Sequence, residues 1–234
     1  MLATSAVSRA TEPSCQDGSV PDLAAERMDY SSATLREEDA PAEPFALFDR
    51  WLTDAFAAKQ RGDLPEPTAM VLSTSLGDRP SARTVLLKAV EDQTFVFYSN
   101  YDSSKGHQLV VNPYVALHFG WYPLQRQVRV EGLATRVPRE ESEAYFATRP
   151  RGSQLGAWAS AQSSEVSGVE ELAEAYARVE HRFEGGQVPC PPHWGGFRVR
   201  PAMVEFWQGQ PSRMHDRLRY DRTDEDWTRT RLAP

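Results

Sequence analysis

The sequence predicts a mainly β, α+β fold in which an antiparallel sheet carries peripheral helices. Five stretches rich in β-branched and aromatic residues are separated by turn-forming or helical segments, and they cover residues 69–75, 82–90, 94–100, 114–122 and 127–137. The turns at Gly77-Asp78 and Glu91-Asp92 are too short for parallel neighbours, which need crossovers of about a dozen residues, so these strands are predicted to be antiparallel. Strand character returns at residues 197–200, 203–207, 216–220 and 227–231. Together these stretches are sufficient for a barrel or a sandwich.

Helices are predicted before the sheet and between its two halves. From Pro44 to Phe56 apolar residues recur at helical spacing, and proline suits a first helical turn. A helical insertion follows the fifth strand, with predicted helices at residues 138–148, 154–160 and 169–183. Residues 1–26 lack lasting periodicity and are predicted to form a disordered tail, which leaves residues 27–234 as a single domain.

Composition excludes several classes of function. The formal net charge of −7 and the pI near 5.3 argue against a general affinity for nucleic acid. With only Cys15 and Cys190, the chain has no disulfide framework, and a reducing cytoplasm is expected. No run approaches the roughly 18 apolar residues of a membrane span. A glycine-rich nucleotide fingerprint, a phosphate loop and a Cys-x-x-Cys pair are all missing, so nicotinamide, ATP and zinc are not implied and no metal site is predicted.

Two segments place cations where a phosphate could bind. In the run from Arg83 to Lys88, strand alternation puts these two side chains on opposite faces, although an edge strand with charged ends has the same pattern. Further on, Tyr98-Ser99 ends a strand and Lys105 lies at the start of a short helix, whose free backbone N–H groups suit a phosphate. An ordinary serine cap beside a solvated lysine also explains the second segment.

A third segment has the composition of a phosphate site. Tyr145 and Arg149 are four residues apart on one predicted helical face, and Ser153 is predicted to lie in the loop after Pro150. A guanidinium with two hydroxyl groups is a common way to bind a phosphate monoester. Taken alone, the segment equally fits a helix that ends at an Arg-Pro pair.

Residues 205–219 near the end of the chain are rich in aromatic and cationic side chains. Such a segment suits a flat, anionic, redox-active ligand. Arg213 and His215 follow a turn that contains Gly209 and Pro211, so a loop can present both side chains to a pocket. No second histidine or cysteine lies at metal-ligand spacing nearby, and a lone histidine is usually structural or solvated.

These motifs, with the ending Arg231-Leu-Ala-Pro234, resemble the pyridoxine/pyridoxamine 5'-phosphate oxidase family, and the resemblance runs from about Arg27 to Pro234. It implies an FMN-binding split β-barrel, antiparallel and Greek-key-like, that normally forms a homodimer with two active sites at the subunit interface. The chain departs from the family at Ser104, where many members carry an arginine. One expected guanidinium contact to the FMN phosphate is therefore missing.

The resemblance also implies roles for individual residues. The implied FMN ligands are Arg83, Thr84, Val85, Leu86, Leu87, Lys88, Tyr98, Ser99, Lys105, Gln127, Gln162, Ser163, Trp207 and Arg217. The implied substrate ligands are Lys88, Tyr145, Arg149 and Ser153 at the phosphate, Arg213 and His215 at the pyridine ring, and Arg27 and Tyr30 as contacts from a lid. Arg213 and His215 are also the implied catalytic residues.

The implied reaction is the oxidation of pyridoxamine or pyridoxine 5'-phosphate to pyridoxal 5'-phosphate, with oxygen as acceptor and hydrogen peroxide as product. Amine and alcohol substrates fit equally. Two alternatives remain open: a related flavin oxidase of secondary metabolism, of the phenazine type, and a non-catalytic flavin or pyridoxal phosphate binding protein. The Arg149–Ser153 motif argues against the first alternative, and the presence of Arg213 and His215 argues against the second.

Overall fold

The computed structural model describes residues 23–24, 28–224 and 226–234, and the predicted tail at residues 1–26 lies outside them apart from Leu23 and Ala24. The strands are β1 (Ala69–Leu76), β2 (Arg79–Leu86), β3 (Ala89–Glu91), β4 (Thr94–Asn100), β5 (Tyr114–Trp121), β6 (Arg126–Arg136), β7 (Trp194–Gln208), β8 (Asp216–Thr223) and β9 (Asp226–Arg231). The helices are α1 (Pro44–Arg61), α2 (Ser104–Val111), α3 (Arg139–Thr148), α4 (Arg151–Ala159) and α5 (Val169–Arg182). Within the described ranges, no helix is long and apolar enough to span a bilayer.

The strands form one sheet in which each described pairing is antiparallel, as predicted. Their order is β2-β1-β5-β6-β7-β4-β3, with β8 paired to β7 and β9 paired to β8. Helices α1 to α5 lie around this sheet. The predicted mainly β, α+β class is confirmed, and the open strand order is that of a split barrel.

Strand β7 is the axis of the sheet because it pairs with two different strands on the same side. Residues 194–199 pair with β4, residues 203–208 pair with β8, and β6 follows β7 on its other side. The register of β6 shifts between Glu131 and Gly132, which lets it follow the bend in β7. A Cβ atom at Gly132 would lie 2.2 Å from the carbonyl oxygen of Arg200, so this close approach requires glycine.

The continuity of β7 differs from the prediction. Residues 197–200 and 203–207 were expected to form separate strands, because Pro201 lies between them and cannot donate a ladder hydrogen bond. The structure joins them into one strand of 15 residues, with Pro201 opposite the irregular position at Gly132. A bulge is a place where a sheet tolerates proline.

Helix α1 covers the main hydrophobic core. Pro44 opens it, and Gly62, with a φ of 85°, ends it by donating its N–H to carbonyl groups of the last turn. The ring of Phe48 lies 5.0 Å from that of Phe95 and 5.1 Å from that of Phe119, and all three side chains are fully buried. Burial of each phenylalanine contributes about 1.5–3 kcal/mol, which fixes α1 against the sheet.

A second, smaller core lies beneath α3, α4 and α5. It is formed by Phe146, Leu155, Val188 and Trp194. Because Trp194 is also the first residue of β7, this core ties the helical insertion to the sheet at the point where β4 ends. The candidate site lies next to Trp194, where the two cores meet.

Candidate functional site

A cleft of about 500 Å³ lies between the end of β2, the end of β4, the start of α2 and the junction of α3 with α4. It brings together most of the residues that the sequence singled out, although they are spread over nearly eighty positions. The predicted ligands that line it are Thr84, Val85, Leu86, Lys88, Tyr98, Ser99, Lys105, Tyr145, Arg149, Ser153 and Gln162. Below, "the cleft" means this cavity.

The chain enters the cleft at a break between β2 and β3, which corrects the single strand predicted at residues 82–90. The N–H of Leu87 donates to Thr68, next to β1, whereas the N–H of Lys88 donates to Val96 in β4, each at 2.8 Å. The backbone therefore crosses from one part of the sheet to another at these two residues. Leu87 is 4% exposed and packs in the core, away from the cleft, while Lys88 lines it.

Arg83 and Lys105 form the first cationic group: Lys105 lines the cleft, whereas Arg83 does not line it but lies close to Lys105. The guanidinium of Arg83 donates to the carbonyl of Leu72, to Thr74 Oγ1 and to Gln108 Oε1. The ammonium of Lys105, at the start of α2, donates to Ser103 Oγ at 3.0 Å and to Gln162 Oε1. Among the described residues, no carboxylate lies within ion-pair distance of either cation.

The electrostatics of this group favour an anionic ligand. Lys105 is 8% exposed, and burial together with the nearby charge of Arg83 lowers the pKa of Lys105 to about 8. Burial also lowers the pKa of Arg83. Ser103 caps α2 by accepting from the N–H of Gly106, and the first turn of that helix contains no acidic residue. A helix N-terminus with two cations that lack carboxylates is suited to a phosphate.

Arg149 is the centre of a second cationic group. Its guanidinium lies 4.6 Å from the ring centre of Trp194, and burial lowers its pKa. The Nη1 atom of Arg149 is buried without a hydrogen-bond partner among the described residues. Tyr145 and Ser153 line the same cleft. A buried donor without an acceptor costs about 1–3 kcal/mol or more when charged, so this atom is placed for a ligand oxygen.

The local structure around Arg149 differs from the prediction. Arg149 follows the last residue of α3 and has an extended backbone, because the residue before a proline disfavours the helical region. Ser153, which was predicted in a loop, lies in the first turn of α4. Pro150 thus ends one helix and starts the next, and the resulting corner directs both side chains into the cleft.

Aromatic rings form one wall of the cleft. Tyr98 stacks on Tyr145 with 3.9 Å between ring centres, and Trp194 lies nearly parallel to Tyr98 at 5.4 Å. Sequence reasoning missed Trp194 and also Asn100, both of which line the cleft. The available signal was the Trp194-Gly-Gly run at the start of a strand, where glycines allow a close approach: a Cβ at Gly195 would lie 2.1 Å from the hydroxyl of Tyr101.

Arg213 and His215 lie in a different cavity of about 410 Å³, named here the His215 pocket. The loop that carries them is strained, since Ser212 and Arg213 have φ angles of 56° and 61°. Tyr30 lies over this loop, with 5.4 Å between its ring centre and that of His215, and the ring of Trp207 lies 4.6 Å from the His215 ring. Arg27 lies outside the described residues.

The hydrogen bonding of His215 determines its tautomer. Its Nδ1 accepts the backbone N–H of Gln210 at 3.1 Å, so the neutral ring carries its proton on Nε2. Burial and the neighbouring charge of Arg213 lower the pKa of His215, which keeps the ring neutral at physiological pH. The His215 side chain is therefore a hydrogen-bond donor through Nε2.

Three of the remaining predicted ligands form a row across the sheet. Gln127, Trp207 and Arg217 lie directly opposite one another on β6, β7 and β8. Gln127 Oε1 lies 3.1 Å from His118 Nε2. Ser163, with a φ of 75°, follows Gln162 but does not line the cleft. The cleft and the His215 pocket share no lining residue within the described chain.

Comparison with known proteins shows the family to which the chain belongs. Residues 56–183 match the family model for pyridoxamine 5'-phosphate oxidase, and residues 194–234 match the model for the pyridoxine 5'-phosphate oxidase C-terminal dimerisation region. The chain belongs to the pyridoxine/pyridoxamine 5'-phosphate oxidase family. It is an oxidoreductase, and the dimerisation region supports a homodimer.

Individual members of the family are similar over almost their whole length. The pyridoxine/pyridoxamine 5'-phosphate oxidase of Rubrobacter xylanophilus is 54% identical over 93% of this chain and 99% of its own. The enzyme of that name from a Synechocystis species is 52% identical over 91% of this chain and 98% of its own. Among solved structures, PhzG from Burkholderia lata, in complex with tetrahydrophenazine-1-carboxylic acid, has a TM-score of 0.79 at 30% identity and covers 86% of this chain and 98% of its own.

Proposed function

We propose that this chain is an FMN-dependent oxidase that converts pyridoxamine or pyridoxine 5'-phosphate to pyridoxal 5'-phosphate, with oxygen as acceptor and hydrogen peroxide as product. When the substrate is the amine, water is consumed and ammonia is released. The supporting observation is that one cleft is lined by Lys105 and by Arg149, neither of which has a carboxylate within ion-pair distance among the described residues, and that Arg83 lies near Lys105. Two anions in one cleft match a flavin that ends in a phosphate and a substrate that carries its own phosphate.

The first group fits the phosphate of FMN. Lys105 and the capped N-terminus of α2 provide a positive end, and Ser99 at the end of β4 adds a hydroxyl group. Ser104 is the first residue of this helix, and its backbone N–H is available in the first turn. Lys105 and the helix N-terminus therefore act in place of the arginine that many members of the family have at this position.

The second group fits the phosphate of the substrate. Arg149 offers its unpartnered Nη1, and the Tyr145 and Ser153 hydroxyls and the Lys88 ammonium line the same space. A phosphate monoester carries a charge near −2 at neutral pH and accepts several charge-assisted hydrogen bonds. The stacked rings of Tyr98 and Trp194 line the same cleft.

When bound, FMN supplies the redox chemistry by accepting a hydride from substrate C4' and passing the electrons to oxygen. The residues of the chain bind and orient. His215 donates from Nε2 in its neutral form, and Arg213 adds a fixed positive charge beside it. Together they hold the substituted pyridine ring in the orientation needed for transfer.

We further propose that two copies of the chain complete each active site. Arg213 and His215 do not share a cavity with the phosphate-binding groups in a single chain, so substrate bound at Arg149 needs these two residues from elsewhere. The C-terminal region that matches the dimerisation model, residues 194–234, contains Arg213, His215, Trp207 and Arg217. The second copy is expected to supply all four.

The test begins with the absorption spectrum of the purified protein. We expect flavin absorption, and we expect anaerobic pyridoxamine 5'-phosphate to bleach it with one equivalent of pyridoxal 5'-phosphate formed. On readmission of oxygen, the spectrum should recover and hydrogen peroxide should appear. A protein that does not bind FMN when it is supplied in excess would contradict the proposal, and FMN binding without bleaching would restrict it to flavin binding.

The similarity to PhzG favours a second candidate, a flavin oxidase that acts on a phenazine precursor. That class of substrate carries a carboxylate on a fused aromatic ring system and has no phosphate. Arg149 and its hydroxyl neighbours match a phosphate better, since a monoester accepts more hydrogen bonds than a carboxylate. Competition decides between the two: inorganic phosphate should inhibit turnover if the substrate is a phosphate ester, and a reduced phenazine carboxylate should not be oxidised.

A further inference from the structure

Glu205, which was not among the predicted site residues, is a buried carboxylate between two partly exposed arginines, Arg129 and Arg217. It lies beside the row formed by Gln127, Trp207 and Arg217. Its side chain is 7% exposed. One carboxylate oxygen, Oε1, accepts a hydrogen bond from Nε of Arg217 at 2.8 Å and also lies 2.8 Å from its Nη2 in an ion pair. The other, Oε2, accepts from Nη2 of Arg129 at 2.7 Å.

These contacts determine where the Arg217 guanidinium lies. Arg217 is directly opposite Trp207 on the neighbouring strand, and Trp207 in turn contacts His215. The hydrogen bond from Nε and the ion-pair contact of Nη2 hold the guanidinium against one carboxylate oxygen, and a second hydrogen bond, from Nη1 to the carbonyl of Ala233, holds its outer edge. A long side chain that would otherwise sample many rotamers is thus held in one orientation.

Glu205 remains ionised in this position. Although its burial favours the protonated form, hydrogen bonds from Arg129 and Arg217 lower the pKa of Glu205. A buried carboxylate between two guanidiniums is not required by the sheet, because the neighbouring strands already pair through their backbones. Buried ion pairs contribute little net stability compared with apolar residues of similar size, so orientation is the better explanation for this cluster.

We propose that Glu205 is a positioning residue, which orients Arg217 next to Trp207 so that a preformed guanidinium meets the bound flavin. This inference rests on the proposed function, in which Trp207 and Arg217 contact FMN. Glu205 itself acts only through Arg217, because both of its oxygens are occupied by arginine donors.

The test compares two glutamates that contact the same arginine. Glu205→Gln retains the size of the side chain but turns an N–H group toward one of the two arginines. Glu131→Gln is the matched control, since Glu131 also pairs with Arg129 and has no contact with Arg217. Titration of each ligand-free protein with FMN, followed by flavin fluorescence, gives the dissociation constant. We expect it to rise about tenfold for Glu205→Gln and less than about twofold for Glu131→Gln.

A double-mutant cycle separates orientation from general stability. In the Arg217→Gln background, Glu205→Gln should change the FMN dissociation constant by less than about twofold, because its effect passes through Arg217. An equal loss in both backgrounds, or unchanged FMN affinity in Glu205→Gln, would overturn the inference. If Glu205→Gln does not fold, Glu205→Asp provides the same comparison, because it retains the charge but reaches Arg217 less well.

The outcome for the wild-type protein distinguishes this inference from the proposed function. If the wild type binds no FMN, the proposed function fails, and the role of Glu205 fails with it. If the wild type binds FMN and oxidises the substrate while Glu205→Gln behaves identically, only the role of Glu205 is refuted. The melting temperature of each ligand-free variant shows whether a change in affinity arises from lost stability.

Discussion

Replacing Arg149 with alanine tests the second phosphate site directly. The guanidinium lies over the ring of Trp194, has a buried Nη1 without a partner, and is not paired with any described carboxylate. Its removal therefore eliminates no ion pair in the free protein. We expect the ligand-free protein to lose less than about 1 kcal/mol of stability, or roughly 2–4 °C in melting temperature, from lost packing on Trp194.

Substrate binding should change far more. A buried charge-assisted contact to a phosphate contributes about 2–4 kcal/mol, which corresponds to roughly a 30- to 1000-fold weaker affinity for pyridoxamine 5'-phosphate. Steady-state kinetics at saturating FMN should show this loss mainly in KM, with FMN affinity retained. Arg151→Ala is the control, since Arg151 is exposed and donates to the carbonyls of Phe183 and Gly186, away from the cleft. The assignment fails if KM is unchanged in Arg149→Ala, or if both variants lose affinity equally.

Three further predictions follow from the surroundings of individual residues. Because the pKa of Lys105 is about 8 before ligand binds, its ammonium loses a proton as pH rises through 8, and FMN affinity should fall above that pH. The Lys105→Met variant should bind FMN weakly and without this pH dependence. A pH dependence that persists in the variant would assign the titration to another group. Since burial and the charge of Arg213 lower the pKa of His215, turnover should fall only at a pH below that at which an ordinary histidine titrates. His215→Asn should reduce kcat about 100-fold while FMN stays bound, and loss of flavin would assign His215 to the cofactor. Gly106→Ala would place a Cβ 2.0 Å from the carbonyl oxygen of Tyr101, so urea unfolding should show a loss of about 1–3 kcal/mol, and unchanged stability would refute the close approach.

The sequence predicted the sheet well because its signals are local. Strand β4 occupies the predicted residues 94–100, and hairpin turns lie at Gly77 and beside Asp92, where positive φ angles occur. What local pattern could not show is a strand that changes partner. The break at Leu87 and Lys88 and the continuity of β7 through Pro201 depend on which strands lie alongside, and that information is held in the tertiary structure.

The residues of the candidate site likewise divide into those that a local pattern predicted and those that only the tertiary structure reveals. Lys105, Tyr145 and Arg149 were found because their residue types and spacing suit a phosphate, and the cleft contains all three. Trp194 and Glu205 were missed because large aromatic residues and acidic residues on strands normally have packing or surface roles. Only the structure shows that one lies under a guanidinium and that the other is buried between two.

Two sets of cations near the candidate site differ in their partners. Arg129 and Arg217 share the carboxylate of Glu205, and their positions are fixed without any ligand. By contrast, Arg83, Lys105 and Arg149 have no carboxylate within ion-pair distance among the described residues, although the chain as a whole carries a net charge of −7. An acidic protein has ample carboxylates to pair with them, and burying a cation without one is costly. Lys105 and Arg149 line one cleft and Arg83 lies close to Lys105, so a ligand that brings negative charge into the cleft would compensate these cations, which supports the proposal of two phosphates over an uncharged ligand.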